Sequence, residues 1–303
     1  MPLLIINHHY FRKKKPGRGI YPISPNELNH EIKNLQLNGW KLGCEEDILK
    51  LGSNKSKINQ KIAIITFDDG LREQYLALEQ LSKVDISPIC YIPTLPYTEN
   101  KVLPVHKLQM LRSKINDKNL YDDLNSKYNL KKIKFEDKIL EIQYRYDSEL
   151  SRKIKYFLNF TLDVKEKNNW LSKYFEKTFG NEGLVAKKLY FSKDELKFLA
   201  AKNQIGSHAH SHVPLSSLNK DGLKKELMLS KNILKDVSGF DPNGISYPYG
   251  GKSSVSDMVY DITAECGYRY GITMERGVNQ LDQTKKLYSL KRIDVNDLKD
   301  WLI

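Results

Sequence analysis

Lys61-Ile-Ala-Ile-Ile-Thr-Phe-Asp-Asp-Gly70 is the stretch on which the reading of this chain turns. Lys61 to Phe67 is a compact apolar run, as expected of a strand buried on both faces, and it places Asp68 and Asp69 at the strand's C-terminal end. Helical spacing follows from Arg72 to Lys83 through Tyr75, Leu76, Leu78 and Leu81. The segment is a strand, an acidic turn and a helix.

The same rhythm extends in both directions. Upstream, Leu3 to Ile6 reads as a short buried strand, and Ser24-Pro-Asn-Glu27 opens a helix with Leu28, Ile32 and Leu35 on one face and Gly39 at its end. Downstream, Pro88 to Pro93 is a candidate strand, after which the pattern breaks. A Lys-, Asn- and Tyr-rich stretch from about Lys101 to Lys188 holds helical fragments over Leu103 to Ile115, Phe135 to Leu158 and Trp170 to Phe179. Alternation resumes at Ser192-Lys-Asp-Glu195, a capping-box start, and runs into Gln204-Ile-Gly-Ser-His208. A helix near Lys220 to Val237, a strand near Gly244 to Tyr247, a helix near Val255 to Cys266 and apolar runs at Tyr268 to Thr273 and Lys286 to Ile293 complete it. Repeated strand and helix units imply an α/β fold with a parallel sheet, open or closed into a barrel. The expected organisation is a (β/α) unit over residues 1–100 and 189–303, with residues 101–188 as a helical insertion that serves as a lid or an oligomer contact.

At 303 residues the chain exceeds the roughly 200–250 residues over which an α/β barrel folds as one domain, which fits one barrel plus an insertion. Hydrophobic residues at 40% and charged residues at 28% give it a packed core rather than a disordered chain. Cys44, Cys90 and Cys266 are far apart and none belongs to a Cys-x-x-Cys pair, which argues against a disulfide framework and a Cys-rich zinc site. The N-terminus lacks the layout of a secretory signal, and no stretch approaches the roughly 20 apolar residues of a membrane helix, so a cytoplasmic location is expected. The formal charge of +12 would attract nucleic acid, anionic lipid or phosphorylated substrates, although a Lys-, Asn- and Ile-rich composition accounts for it equally. Arg12-Lys-Lys-Lys-Pro-Gly-Arg18 is the densest basic cluster, but no interleaved aromatic platform continues from it, and nucleic-acid binding is not expected.

Three stretches at predicted strand ends hold most of the reactive groups: Thr66-Phe-Asp-Asp-Gly70, Ser207-His-Ala-His-Ser-His212 and Ser246-Tyr-Pro-Tyr-Gly250. Parallel α/β folds place their sites at such ends. Adjacent carboxylates point in different directions, so one can bind a metal while the other accepts a proton. His208 and His212 are four apart, which brings both imidazoles to one ion on a helical turn, whereas on an extended segment His208, His210 and His212 would share a face. Two imidazoles and a carboxylate leave zinc an open position for water, and a second carboxylate takes the proton as that water attacks. A solvated Asp-Asp-Gly turn, a solvated His-rich turn and a plain proline turn are the ordinary alternatives for each stretch taken alone.

Taken together, Thr-Phe-Asp-Asp-Gly, then His-x-x-x-His, then Tyr-Pro-Tyr-Gly resemble the motifs of the polysaccharide deacetylase, or NodB-homology, family (carbohydrate esterase family four). The resemblance covers about Lys61 to Thr94 and Asp194 to Ile293. It implies a distorted (β/α) barrel, with Asp68 as catalytic base and Asp69, His208 and His212 as ligands of a divalent metal, most often Zn2+. It also implies a backbone N–H of Tyr249 directed at the developing oxyanion. His210 then lies between ligands without being one.

Two departures accompany the match. Ser246 stands where the family often has an arginine before the third-motif proline, so the group that orients Asp68 comes from elsewhere, with Arg276 and Arg292 as candidates. Leu290-Lys-Arg-Ile293 occupies the place of the family's late Leu-x-His motif without its histidine, so a water, Asp68 itself or a histidine from outside the motif protonates the leaving amine, with His8, His9 and His106 as the better-placed candidates. The function expected from the resemblance is metal-dependent hydrolysis of an N-acyl group, foremost N-acetyl, from an amino sugar or a nucleotide- or lipid-linked precursor of a surface polysaccharide. A catalytically weakened saccharide-binding protein on the same fold is the alternative.

Overall fold

Period-two alternation along each strand decides what the strands contribute here. The computed structural model describes residues 2–14, 20–50, 60–280 and 284–301. In chain order it begins with β1 (Pro2–His8), α1 (Pro25–Leu37), β2 (Trp40–Leu42), α2 (Glu45–Lys50), β3 (Lys61–Phe67), α3 (Tyr75–Ser82), β4 (Ile89–Ile92) and α4 (Leu95–Glu99). Then come α5 (Pro104–Arg112), α6 (Asp117–Tyr128), α7 (Asp137–Gln143), α8 (Glu149–Tyr156), α9 (Val164–Phe179) and α10 (Glu182–Leu189). The chain continues with α11 (Lys193–Ala201), β5 (Ile205–Ser207), α12 (Lys220–Ser238), β6 (Gly244–Ser246), α13 (Asp257–Glu265), β7 (Tyr270–Ile272), β8 (Asn279–Gln280) and β9 (Ile293–Asp294). It divides into two compact units, one holding β1 to α4 and the chain from Ala186 onward, the other Val102–Val185.

In the strand-bearing unit the sheet order is β7-β6-β5-β4-β3-β1-β8, with β2 beside β3 and β9 beside β1. Its pairs are parallel except at β8, which runs antiparallel to the start of β1. Leu290 bridges to Ile272 in β7, and three residues later Ile293 pairs with Ile6 in β1. The short segment between them therefore links the two sides of the sheet and curls it into a distorted barrel.

Leu3 and Ile5 of β1, Ile62 and Ile64 of β3, Ile89 and Tyr91 of β4, and Tyr270 and Ile272 of β7 form one buried cluster inside the curl. The alternate residues face the helices, as Ile65, Phe67, Cys90, Ile92 and Ile205 do against Leu28 and Ile32 of α1, Leu78 and Leu81 of α3, and Leu196 and Leu199 of α11. The tyrosine rings occupy room left by glycines: a Cβ on Gly206 would lie 2.4 Å from the Tyr91 ring, and one on Gly244 would lie 1.9 Å from Tyr270 Cζ. The Tyr270 hydroxyl donates to Glu45 Oε1 at 2.7 Å, so the buried phenol is satisfied.

Both serine-led helix starts behave as their sequences require, since Ser24 with Glu27 and Ser192 with Glu195 form capping boxes. Other expectations need correction. Leu76 is 48% exposed, and α3 buries Ala77, Leu78 and Leu81 instead, because at 3.6 residues per turn Leu76 falls on the side of the helix opposite Leu78. The run from Phe135 to Leu158 is two helices, interrupted where Ser148 caps the start of α8 by accepting from Ser151 N–H. The short elements β2, α2 and β8 carry no local sequence signal. Of the basic cluster, Lys15 to Arg18 lie outside the described residues, and Arg12 pairs with Glu73 at 2.7 Å.

The helical unit packs Leu108 and Leu111 of α5, Leu120 and Leu124 of α6, Ile154 of α8, and Trp170 and Leu171 of α9 into a core of its own. Buried Arg112 holds Asp117 through two bonds at 2.7 and 3.0 Å. Among the described residues no helix is long and apolar enough to cross a membrane.

Gly244→Ala forces a methyl into the Tyr270 ring, and overpacking of this kind costs about 1–3 kcal/mol. Urea unfolding should register that loss, and Gly244→Ala combined with Tyr270→Leu should recover part of it. An unchanged midpoint for Gly244→Ala would show that the ring is not wedged there.

Candidate metal centre and active site

The interior face of the strands carries polar groups once it reaches the C-terminal ends. Asn7, Thr66, His208 and Ser246 are buried there, and Asp68 is 2% exposed. Beyond these ends the chain turns sharply, with left-handed backbone at Asp69 (φ 77°), Ala209 (φ 58°), His212 (φ 56°) and Tyr249 (φ 63°). A non-glycine residue in that region costs about 1–2 kcal/mol, and such strain gathers where side chains must be aimed. The histidine pair is thus on neither a helical turn nor an extended segment: two left-handed residues fold the loop so that the His208 and His212 rings lie 4.9 Å apart.

Asp69, His208 and His212 converge, their ligand atoms all within 4.8 Å of one another, and all three are buried. Asp69 Oδ1 is 3.5 Å from His208 Nε2 and 3.3 Å from His212 Nε2. Bonds of about 2.0–2.1 Å in a tetrahedral set separate neighbouring donors by about 3.4 Å, so the spacing fits a divalent cation such as zinc. His208 Nδ1 lies 2.6 Å from the Ser246 carbonyl, which can only accept, so the ring carries its proton on Nδ1 and turns a bare Nε2 to Asp69. Burial alone would lower the His208 pKa, but Asp68 and Asp69 raise it above the ordinary imidazole value. The negative field that does so also favours a cation.

Asp68 takes no part in the triad. Arg292 Nη1 and Nη2 donate to its two oxygens at 2.9 and 2.7 Å, and the Ser246 hydroxyl donates to Oδ2 at 3.1 Å. Burial pushes the Asp68 carboxyl up, but the Arg292 charge, helped by His208, holds it below the ordinary carboxylate value.

Residues 164–271 match the sequence model of the polysaccharide deacetylase family. No curated protein sequence matches the chain. Among solved structures it superposes on the Streptococcus pyogenes deacetylase PplD with a TM-score of 0.61 at 15% identity, covering 100% of this chain and 99% of that one. IcaB from Ammonifex degensii gives 0.60 at 14% identity over 99% and 97% of the two chains. A de-N-acetylase from Aggregatibacter actinomycetemcomitans gives 0.61 at 13% identity over 99% and 100%. The fold is that of the polysaccharide deacetylases.

On this deacetylase fold the two sequence departures meet in one place. Arg292, in the segment that closes the barrel, reaches Asp68 from the late position where the expected histidine is absent, and Ser246, where an arginine was expected, bridges both through its hydroxyl. Arg276 instead pairs with Asp297 at 3.2 Å. The guanidinium on Asp68 thus comes from across the barrel rather than from the third motif.

The candidate acids separate by strand parity. His8 faces the helices, its Nδ1 at 3.1 Å from the Thr66 carbonyl and its Nε2 at 3.0 Å from Glu31, so both ring nitrogens are engaged. Burial would lower its pKa, yet Glu31 and the Thr66 carbonyl raise it. His9 falls on the other side, its Nδ1 at 3.3 Å from the Asn7 amide nitrogen, half-buried and close enough for its charge to act on Asp68. His106 is buried on α5 in the helical unit. His210 stays out of the triad, its Nδ1 at 2.8 Å from the Thr94 hydroxyl. The Tyr249 ring stands 5.0 Å from that of His212, which brings the third motif to the triad.

Arg292→Met leaves a buried carboxylate without its cation, a loss of about 3–5 kcal/mol. The lowered pKa of Asp68 means its contribution to wild-type stability is present above the ordinary carboxylate range and is lost as pH falls through the depressed value. In the variant the carboxyl takes up a proton more readily, so the stability gap between the two metal-free proteins should narrow from pH 8 to pH 4. Urea midpoints measure it, and a gap independent of pH would contradict the pairing.

Proposed function

We propose that the protein is a metal-dependent carbohydrate N-deacetylase that removes the N-acetyl group from an amino sugar of a surface polysaccharide or its precursor. One observation carries this reading: two adjacent carboxylates are put to different uses, Asp68 clamped by Arg292 and Asp69 turned to two imidazoles. A solvated acidic turn would need neither arrangement.

Asp69, His208 and His212 are the residues that would hold a divalent cation, zinc by the chemistry of the set, and the ion when bound polarises a carbonyl and acidifies water. Asp68, kept ionised by Arg292, accepts the proton of the attacking water. The Tyr249 N–H donates to the oxyanion as the amide carbon becomes tetrahedral. The C–N bond then breaks, the nitrogen takes a proton from His9, and amine and acetate leave. His9 is preferred to His8, whose ring nitrogens are both engaged, and to His106, which is buried in the helical unit. The missing arginine and late histidine would also suit a weakened saccharide-binding protein on the same fold, but Arg292 on Asp68 and the half-buried His9 beside Asn7 favour the enzyme. The helical unit is proposed as a lid or an oligomer contact.

Metal analysis and acetate release test the proposal, using acetylated amino-sugar oligomers alongside nucleotide-linked and lipid-linked acetylated sugars to separate polymer from precursor. Asp69→Ala should lose both zinc and activity. Asp68→Asn should keep zinc while kcat falls by about 10²–10⁴, the range of general acid-base catalysis, and His9→Gln should lower kcat with little change in KM. Full activity in Asp69→Ala would overturn the reading.

A further inference from the structure

His208 continues directly from β5 and has its ring tied to the Ser246 carbonyl, but His212 hangs on a loop with left-handed residues at both ends. Its aim therefore depends on what holds that loop. Two clamps do so from opposite sides. From the end of β4, Thr94 N–H donates to the Ala209 carbonyl at 3.2 Å and Leu95 N–H to the His210 carbonyl at 2.9 Å. From α12, a single oxygen, Glu226 Oε1, accepts the N–H of His210 at 3.0 Å, the N–H of Ser211 at 2.6 Å and the hydroxyl of Ser211 at 2.9 Å.

Two successive amide N–H groups converging on one anion make a nest, and a carboxylate bound in it forms charge-assisted bonds. This nest immediately precedes His212. Glu226 itself does not belong to the converging triad. We propose that Glu226 is a positioning residue for the metal centre, its carboxylate filling the nest so that His212 keeps its left-handed backbone and its Nε2 meets Asp69. The inference rests on the metal-site reading of Asp69, His208 and His212.

The required feature is reach: the carboxylate must extend from α12 to the two amides. Glu226→Gln keeps an acceptor oxygen at the same distance, whereas Glu226→Asp keeps the charge but withdraws the oxygens by one methylene. Residues that orient metal ligands typically change metal affinity 10- to 100-fold when altered. Zinc affinity, measured by competition with a chromophoric chelator on the full chain, should fall at least about tenfold in Glu226→Asp and only about threefold in Glu226→Gln. Metal-free thermal unfolding, run in parallel, should show both variants folded. A purely structural carboxylate would make the two lose stability without this ordering of affinities. Wild-type zinc affinity in Glu226→Asp would overturn the positioning role alone, as would equal losses in the two variants. A wild-type protein that binds no zinc, or an Asp69→Ala variant that binds it as wild type does, would overturn the metal reading first and the inference with it.

Discussion

The ion pair between Asp68 and Arg292 is the interaction on which the rest of the molecule depends. It lies where the end of β3 meets the segment that closes the barrel, and Arg292 is fully buried. Removing two charges from water costs several kcal/mol per ion, about what the attraction between them returns when the geometry is good. Here the guanidinium meets both carboxylate oxygens and the Ser246 hydroxyl bonds to both partners, so the geometry is good. What the pair gains is orientation more than net stability. It keeps Asp68 ionised, fixes its direction beside the triad, with Oδ2 4.0 Å from His208 Nε2, and ties the late segment to the strand that carries the acids.

Orientation elsewhere follows from the same alternation that fills the barrel. Residues of one parity pack inside, first apolar and then, toward the C-terminal ends, as Asn7, Thr66, Asp68, His208 and Ser246. Residues of the other parity meet the helices. Adjacent residues thus acquire unlike environments, and His8 and His9 show how far this goes: one is locked to Glu31 of α1, the other stands half-buried beside Asn7. The strained turns after the strands then redirect Asp69, His212 and Tyr249 from those faces toward one another. In the histidine loop the redirected backbone is held by bonds with Thr94, Leu95 and Glu226.

Much of this was legible in the sequence because it depends on short-range pattern. The strand and helix alternation, the capping boxes at Ser24 and Ser192, and the three motifs at strand ends are all local. Parity is legible too: counting alternate residues from Leu3 and Ile5 separates His9 from His8. Other features depend on contacts distant in sequence. Arg292 was one of two arginines with nothing local to choose between them, and only barrel closure brings it across 224 residues to Asp68. Glu226 looked like any acidic residue on an amphipathic helix. The histidine pair suited a helical turn or an extended segment equally, and the actual geometry, with left-handed turns at Ala209 and His212, follows from packing against α12 and β4.

X-ray absorption at the zinc edge of the zinc-loaded protein tests the central claim most directly, because it reports the atoms around the ion rather than a consequence of binding. Two imidazole nitrogens with oxygen ligands, at about 2.0–2.2 Å, are predicted for a centre made by His208, His212 and Asp69. Scattering from sulfur at about 2.3 Å, which would bring in Cys44, Cys90 or Cys266, or a shell without imidazole, would contradict it.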